Sequence, residues 1–272
     1  MSEISEEPAR LLAGCAETDI TPEPGTQLAG DCGRRRRAEN IRERLNARAL
    51  VLKDKGPSGT ECCFLSVNTL GATNEWADRI RERVGERIRM PPDKIVFHAL
   101  QNHGAPMIGH IFAMGEETRL PENLPWVLGG DEDYNELAAG KIVQAAEEAN
   151  ENLQPVSLRA GRGIDGRVGF NRRHILRDGS VRRHGPCASP DILCSEGPID
   201  PEVGVLSLES PDGRRRVLML HHTCHPCYGF GGNDVIGDWV GVWADLARED
   251  LGSSCQPIVV NGCCGNIHHT NH

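Results

Sequence analysis

Histidine is the residue type in this 272-residue chain whose placement speaks most directly of chemistry. Three short polar stretches, residues 98–106, 221–226 and 261–272, hold His103, His225, His268 and His269. A neutral imidazole is the commonest protein ligand for zinc and similar ions. A catalytic zinc site takes about three protein ligands and leaves one position for water, which becomes nucleophilic near neutral pH. Cys224-His225-Pro226-Cys227 allows two other readings, a redox pair or half of a structural zinc site. A redox motif should open a helix, whereas Tyr-Gly-Phe-Gly-Gly follows here, and Cys263–Cys264 has the wrong spacing for a standard zinc ribbon. Those glycines match no phosphate-binding fingerprint.

Arginines are the second group of interest. Arg172 and Arg173 sit in a long polar segment, where a guanidinium pair could clamp a carboxylate or phosphate. The run Arg34–Arg37, flanked by Asp31, Glu39 and Glu43, reads as a solvated, mobile face, as do Arg214–Arg216 after the turn Pro211-Asp212-Gly213.

The elements that must position these loops follow from periodicity. Residues 47–53 and 62–67 read as strands. Trp76, Ile80, Val84 and Ile88 recur every fourth residue, Asn74 can cap and Pro91–Pro92 stops the run, so 75–90 is an amphipathic helix. Residues 95–99 form the next strand, which makes a strand–helix–strand unit with a parallel pair. A second helix covers 132–150, with Tyr134, Ala138, Ile142, Ala145 and Ala149 on one face. Strands are expected at 156–170, 203–208, 217–222 and 257–260, with a helix at 238–250. Residues 171–201 read as a long irregular loop, often a functional feature. The class is α/β, with a mixed, partly parallel β-sheet and flanking helices. The three histidine loops follow the carboxyl ends of strands, where open α/β sheets bind ligands, so they are expected to meet.

Composition bounds the rest. Hydrophobic content of 38% and charged content of 25% are those of an ordinary globular chain. A formal net charge of −9 argues against a nucleic-acid partner, which needs a basic face. The first residues, MSEISEEPAR, have neither the basic nor the apolar region of a secretory signal, and no apolar run approaches a transmembrane segment. With eleven cysteines, an odd number, this points to a reducing, cytoplasmic setting with mostly free thiols. Cys62, Cys63, Cys263 and Cys264 read as small buried hydrophobes.

Taken together, several motifs resemble the neutral/alkaline non-lysosomal ceramidase family. They are Gly14-Cys-Ala-Glu-Thr-Asp-Ile-Thr-Pro22, Leu45–Leu52, Phe170-Asn-Arg-Arg173, Gly197–Val205, Thr223-Cys-His-Pro226, Ile236-Gly-Asp-Trp-Val-Gly241 and Asn261-Gly-Cys-Cys-Gly-Asn266. They stand in the family's order across nearly the whole chain. The resemblance implies an N-terminal catalytic domain over 1–272, incomplete at its C-terminus, because the family's Glu and Tyr zinc ligands come later. It places His225 on one zinc ligand. The family's T-H-x-H-x-G-P loop falls on Leu100–Pro106, with Gln101 at the ligand histidine and His103 at the next. The family's nucleophilic serine loop, G-D-x-S-P, falls on Gly265–His269, with Asn266 at the aspartate and His268 at the serine.

The expected function is a zinc-dependent hydrolase of an amide-type bond in a small-molecule or lipid-like substrate other than ceramide. The metal ligands are His103, His225 and Gln101. The catalytic groups are His268, His269 and Asp238, and the substrate-binding groups Arg172, Arg173 and Asn266. The alternatives are a non-catalytic relative that binds a small molecule or a partner, and a thiol-based protein using Cys224 and Cys227.

Overall fold

The computed structural model describes residues 10–31, 34–57, 59–110, 130–183 and 189–270. Its larger strands are β1 (Leu11–Asp19), β2 (Asn46–Asp54), β3 (Glu61–Val67), β4 (Ile95–Ala99), β5 (Ser157–Ile164), β6 (Arg173–Leu176), β7 (Val181–Arg183), β8 (Ile192–Ser195), β9 (Glu202–Glu209), β10 (Arg215–His222) and β11 (Gln256–Asn261). The helices are α1 (Asn74–Ile88), α2 (Glu132–Glu151) and α3 (Asp238–Leu251). One mixed sheet has the order β4-β3-β2-β1, extended past β1 by the pair Gln154–Pro155; β3 and β4 run parallel. A second sheet has the order β11-β10-β9-β5, with β10 and β11 parallel.

The two sheets stack, and strand periodicity explains how. Along β2, Ala47, Ala49 and Val51 face α1 and α2, whereas Leu50 and Leu52 enter a layer with Leu206, Leu208, Val217, Met219 and Ile258 of the second sheet. A strand covered on both faces needs an apolar run rather than an alternation, and ARALV supplies it. The helix side is shaped by small residues. A Cβ at Gly14 of β1 would fall 1.9 Å from the Ala149 carbonyl oxygen, so only glycine admits α2 this close. On the far face, α3 sets Val240 and Ala244 against Val259 and Leu100.

The expected helices and main strands are present. The cap of α1 is Thr73 rather than Asn74, its side chain accepting from the Trp76 amide, and Arg89 ends the helix in the left-handed region at φ 55°. Residues 171–201 are not an irregular loop: β6, β7 and β8 form a small antiparallel sheet within them. Exposed strands rich in Arg, Asp and Ser carry no apolar alternation, which hid them. The nine described cysteines are free. Cys263 is exposed, not buried, because it lies in the turn beyond β11. Among the described residues no helix is long and apolar enough to cross a membrane.

Candidate active site

Both parallel pairs end on the same side, and polar ties lock their ends together. The Ser66 hydroxyl of β3 donates to the Val259 carbonyl of β11 at 2.7 Å. Asn261, the last residue of β11, donates through Nδ2 to Leu100 O at 3.1 Å, and its amide donates to His98 Nε2 at 3.1 Å. His98 is thereby a structural acceptor. Further along, the His103 amide donates to Pro226 O at 2.9 Å, and the His225 amide to Ile267 O at 3.1 Å. The fully buried Asn102 donates to Asn68 and to Ile236 O, and accepts from the Gly104 amide. The three histidine loops therefore meet, as their positions after strand ends led us to expect.

At the centre of this junction, His103 Nε2 and His225 Nε2 lie 2.9 Å apart. Nδ1 of His225 faces the Cys264 carbonyl at 3.1 Å. A carbonyl only accepts, so the neutral ring carries its proton on Nδ1 and leaves the Nε2 lone pair free. Burial foremost, with His225, Arg36 and Arg172 adding positive charge, pushes His103 down to about 3. Burial likewise lowers His225. Both rings are neutral at pH 7, the form that ligates a metal. Two ligands at 2.0–2.1 Å from one tetrahedral zinc stand roughly 3.3 Å apart, close to the spacing seen. The pair fits such an ion.

The pair is backed by two groups. Gly30, at φ +90°, sits so tightly behind His103 that an added Cβ would fall 2.4 Å from Nδ1. Gly30→Ala should therefore rotate the ring and weaken zinc affinity roughly 10- to 100-fold, as disturbing a ligand's support does. Competition with a chelating dye would measure it, and unchanged affinity would break the link between Gly30 and the ligand. Arg36 is the second. It is buried and donates to Gly232 O, Ala29 O, His103 O and Gly229 O at 2.6 to 3.1 Å. It is no member of a solvated arginine face: on its two-residue strand it points in, and Arg37 points out.

Above the pair opens a cleft of about 660 Å³, within the range of small-molecule sites. Its lining includes Gln101, His103, Arg172, His225, His268 and His269, six of the residues singled out from the sequence. Gln101 stands at φ 63°, a strained backbone for a residue with a side chain, and its Oε1 accepts from the Cys264 thiol at 3.0 Å. Cys227, His268 and His269 form a group whose ligand atoms lie within 4.8 Å of one another, a possible metal site in its own right. In it, the Cys227 thiol is 3.5 Å from His269 Nδ1. His268 Nδ1 accepts from the Thr270 amide at 3.1 Å, so the neutral ring carries its proton on Nε2. In that tautomer Nε2 is a hydrogen-bond donor rather than a metal ligand. Burial pushes the Cys224 and Cys227 thiols up to about 12, the reverse of a reactive redox pair.

Three expected site residues lie elsewhere. Asp238 does not line the cleft. It opens α3 at φ 60°, and its buried carboxylate accepts from the amides of Tyr228, Gly229 and Trp239, so it fastens the glycine loop to the helix. Arg173 points outward to Glu196, because side chains alternate along an extended chain and Arg172 takes the inward position. Asn266 accepts from the Arg172 amide through its backbone carbonyl and is not among the residues that line the cleft. The sequence reading missed Gly30, Arg183 and Phe230, which also line the cleft. Only Phe230, an aromatic set among glycines, carried a local signal.

Comparison with solved structures places this architecture. The chain is similar to the neutral ceramidase of Pseudomonas aeruginosa, with a TM-score of 0.71 and 19% identity over 96% of this chain and 40% of that one. It is also similar to a ceramidase complexed with C2, with a TM-score of 0.73 and 18% identity over 96% of this chain and 39% of that one. The fold is ceramidase-like. At this identity the likeness is one of fold alone, and the chain spans about two fifths of the length of these ceramidases. No protein-family model matches the sequence, and no curated protein matches it either.

Proposed function

We propose that this ceramidase-like cleft hydrolyses an amide-type bond with the help of a zinc ion held by His103 and His225, with Gln101 at its rim. The observation that carries the reading is the pair of neutral imidazoles, His225 buried and His103 half-buried, whose Nε2 atoms converge at 2.9 Å. When bound, zinc supplies Lewis acidity, polarising a carbonyl and lowering the pKa of water. The chain's own groups do the rest. The Cys264 carbonyl fixes the His225 tautomer, and Gly30 and Arg36 hold the His103 loop. His268 lines the same cleft, and in the tautomer set by Thr270 its Nε2–H would be a hydrogen-bond donor to the charge that develops on the amide oxygen. The likeness to proteins named as ceramidases supports an amide as the bond cleaved.

Elemental analysis of the protein should find about one equivalent of zinc. A chelator should then abolish hydrolysis of a fluorogenic N-acyl amide, and added zinc should restore it. A second reading, a non-catalytic binder of a small molecule, has one observation in its favour: Gln101 is engaged by Cys264, leaving two histidines as clear ligands. A folded, metal-free protein without amide hydrolysis would select it.

A further inference from the structure

The cleft is cationic in a chain whose formal net charge is −9. Arg172 and Arg183 line it together with four imidazoles, and no Asp or Glu is among its described lining residues. Arg172 is buried, with Nε and Nη2 donating to Gly265 O at 3.0 and 2.6 Å, which fixes its guanidinium in the wall. Arg183 is exposed at the end of β7. Arginines of neighbouring segments meet carboxylates: Arg159 with Glu209, Arg162 with Glu202, Arg167 with Asp165 and Arg173 with Glu196. No carboxylate among the described residues pairs with Arg183. Phe230 also lines the cleft, edge-on to His103 at 5.5 Å between centroids.

We infer that the substrate of this cleft carries a carboxylate, gripped by Arg183 beside the fixed charge of Arg172, and is an N-acylated amino acid rather than a neutral lipid amide. The inference rests on the hydrolytic reading above. The planar, two-oxygen carboxylate matches the donor fork of the Arg183 guanidinium, and Arg172, held to Gly265 O, adds positive charge beside it. The amide then lies at the histidine pair and the acyl group against Phe230. Hydrolysis adds water across the C–N bond: its oxygen joins the acyl carbon, the bond to nitrogen breaks, and a proton goes to the released amine. The products are a carboxylic acid and a free amino acid.

Calorimetric titration with N-benzenesulfonylglycine, a sulfonamide that resists hydrolysis, and with its methyl ester tests the subsite apart from turnover. In the unaltered protein the acid should bind about 10- to 100-fold more tightly than the ester, the difference expected for hydrogen bonds to a charged group. In Arg183→Gln the preference should collapse to within about threefold at an unchanged melting temperature, since this side chain is exposed. Equal binding of acid and ester, or a preference that survives Arg183→Gln, would overturn the inference. Displacement of the acid by an equal concentration of inorganic phosphate would overturn the carboxylate assignment. Selective acid binding without hydrolysis of any amide leaves the subsite standing and removes the hydrolase. Equal hydrolysis of neutral and acidic amides does the opposite.

Discussion

Replacing His225 by Ala should strip the protein of its zinc and of amide hydrolysis while leaving the fold in place. Losing a supporting group around a metal lowers affinity 10- to 100-fold, so losing a ligand should cost at least about 100-fold. The structural cost is smaller. The substitution removes one ring whose Nδ1 meets the Cys264 carbonyl, and that carbonyl keeps its bond from the Ile267 amide at 2.9 Å, so a single hydrogen bond of roughly 0.5–1.5 kcal/mol is lost. Circular dichroism and a melting curve would separate the two effects. The decisive comparison is with His103→Ala and the double variant. If one ion is shared, either single change removes it, and the double variant loses little more than either alone. Independent, additive losses, or zinc retained in full by His225→Ala, would refute a shared ion.

Arg36→Met should be the most destabilising substitution on the cleft's rear wall. Four carbonyls from three separate segments depend on this one guanidinium, and burial works against its charge. Methionine replaces the volume and leaves the acceptors unsatisfied. Breaking a buried network of this kind costs about 3–5 kcal/mol, or roughly 6–20 °C in melting temperature for a chain of this size. Arg36→Lys should recover part of the loss, because an ammonium has three donors and cannot span four carbonyls. Arg37→Met is the natural control. Its side chain is exposed and donates to Gly25 O, so its change should stay within about 0.5 kcal/mol. Equal effects at the two positions would remove Arg36 from its assigned role.

These two residues mark what could and could not be read from sequence. His225 was legible because it follows a strand, and a strand end is a place that periodicity can locate. The three helices were legible for the same reason: Trp76, Ile80, Val84 and Ile88 declare a buried face without tertiary information. Arg36 was not, because four consecutive arginines look like solvent-facing charge until the partners at residues 29, 103, 229 and 232 are brought together. The same limit applies to Arg172 and Arg173, where one residue of offset decides which enters the cleft. The partners of Asp238 were hidden for a related reason. A carboxylate beside a glycine loop has the composition of a catalytic group, yet backbone amides occupy it. The small sheet of β6, β7 and β8 escaped because its strands are held by backbone pairing rather than by an apolar face.

The four bonds of Arg36 also bear on the order of events during translation. Its acceptors are spread from Ala29 to Gly232, so the bundle of contacts that anchors the His103 loop cannot close until the later segment has emerged. The 129 residues between His103 and Gly232 take roughly 6–26 s to synthesise at 5–20 residues per second. For that interval the strands of the first sheet can pack on one face against α1 and α2, all encoded before residue 156, while the other face waits for the second sheet. The histidine loop meanwhile stays open and unable to enclose a metal. On the zinc reading proposed above, capture of the ion would be a late step, postponed until most of the chain has been made.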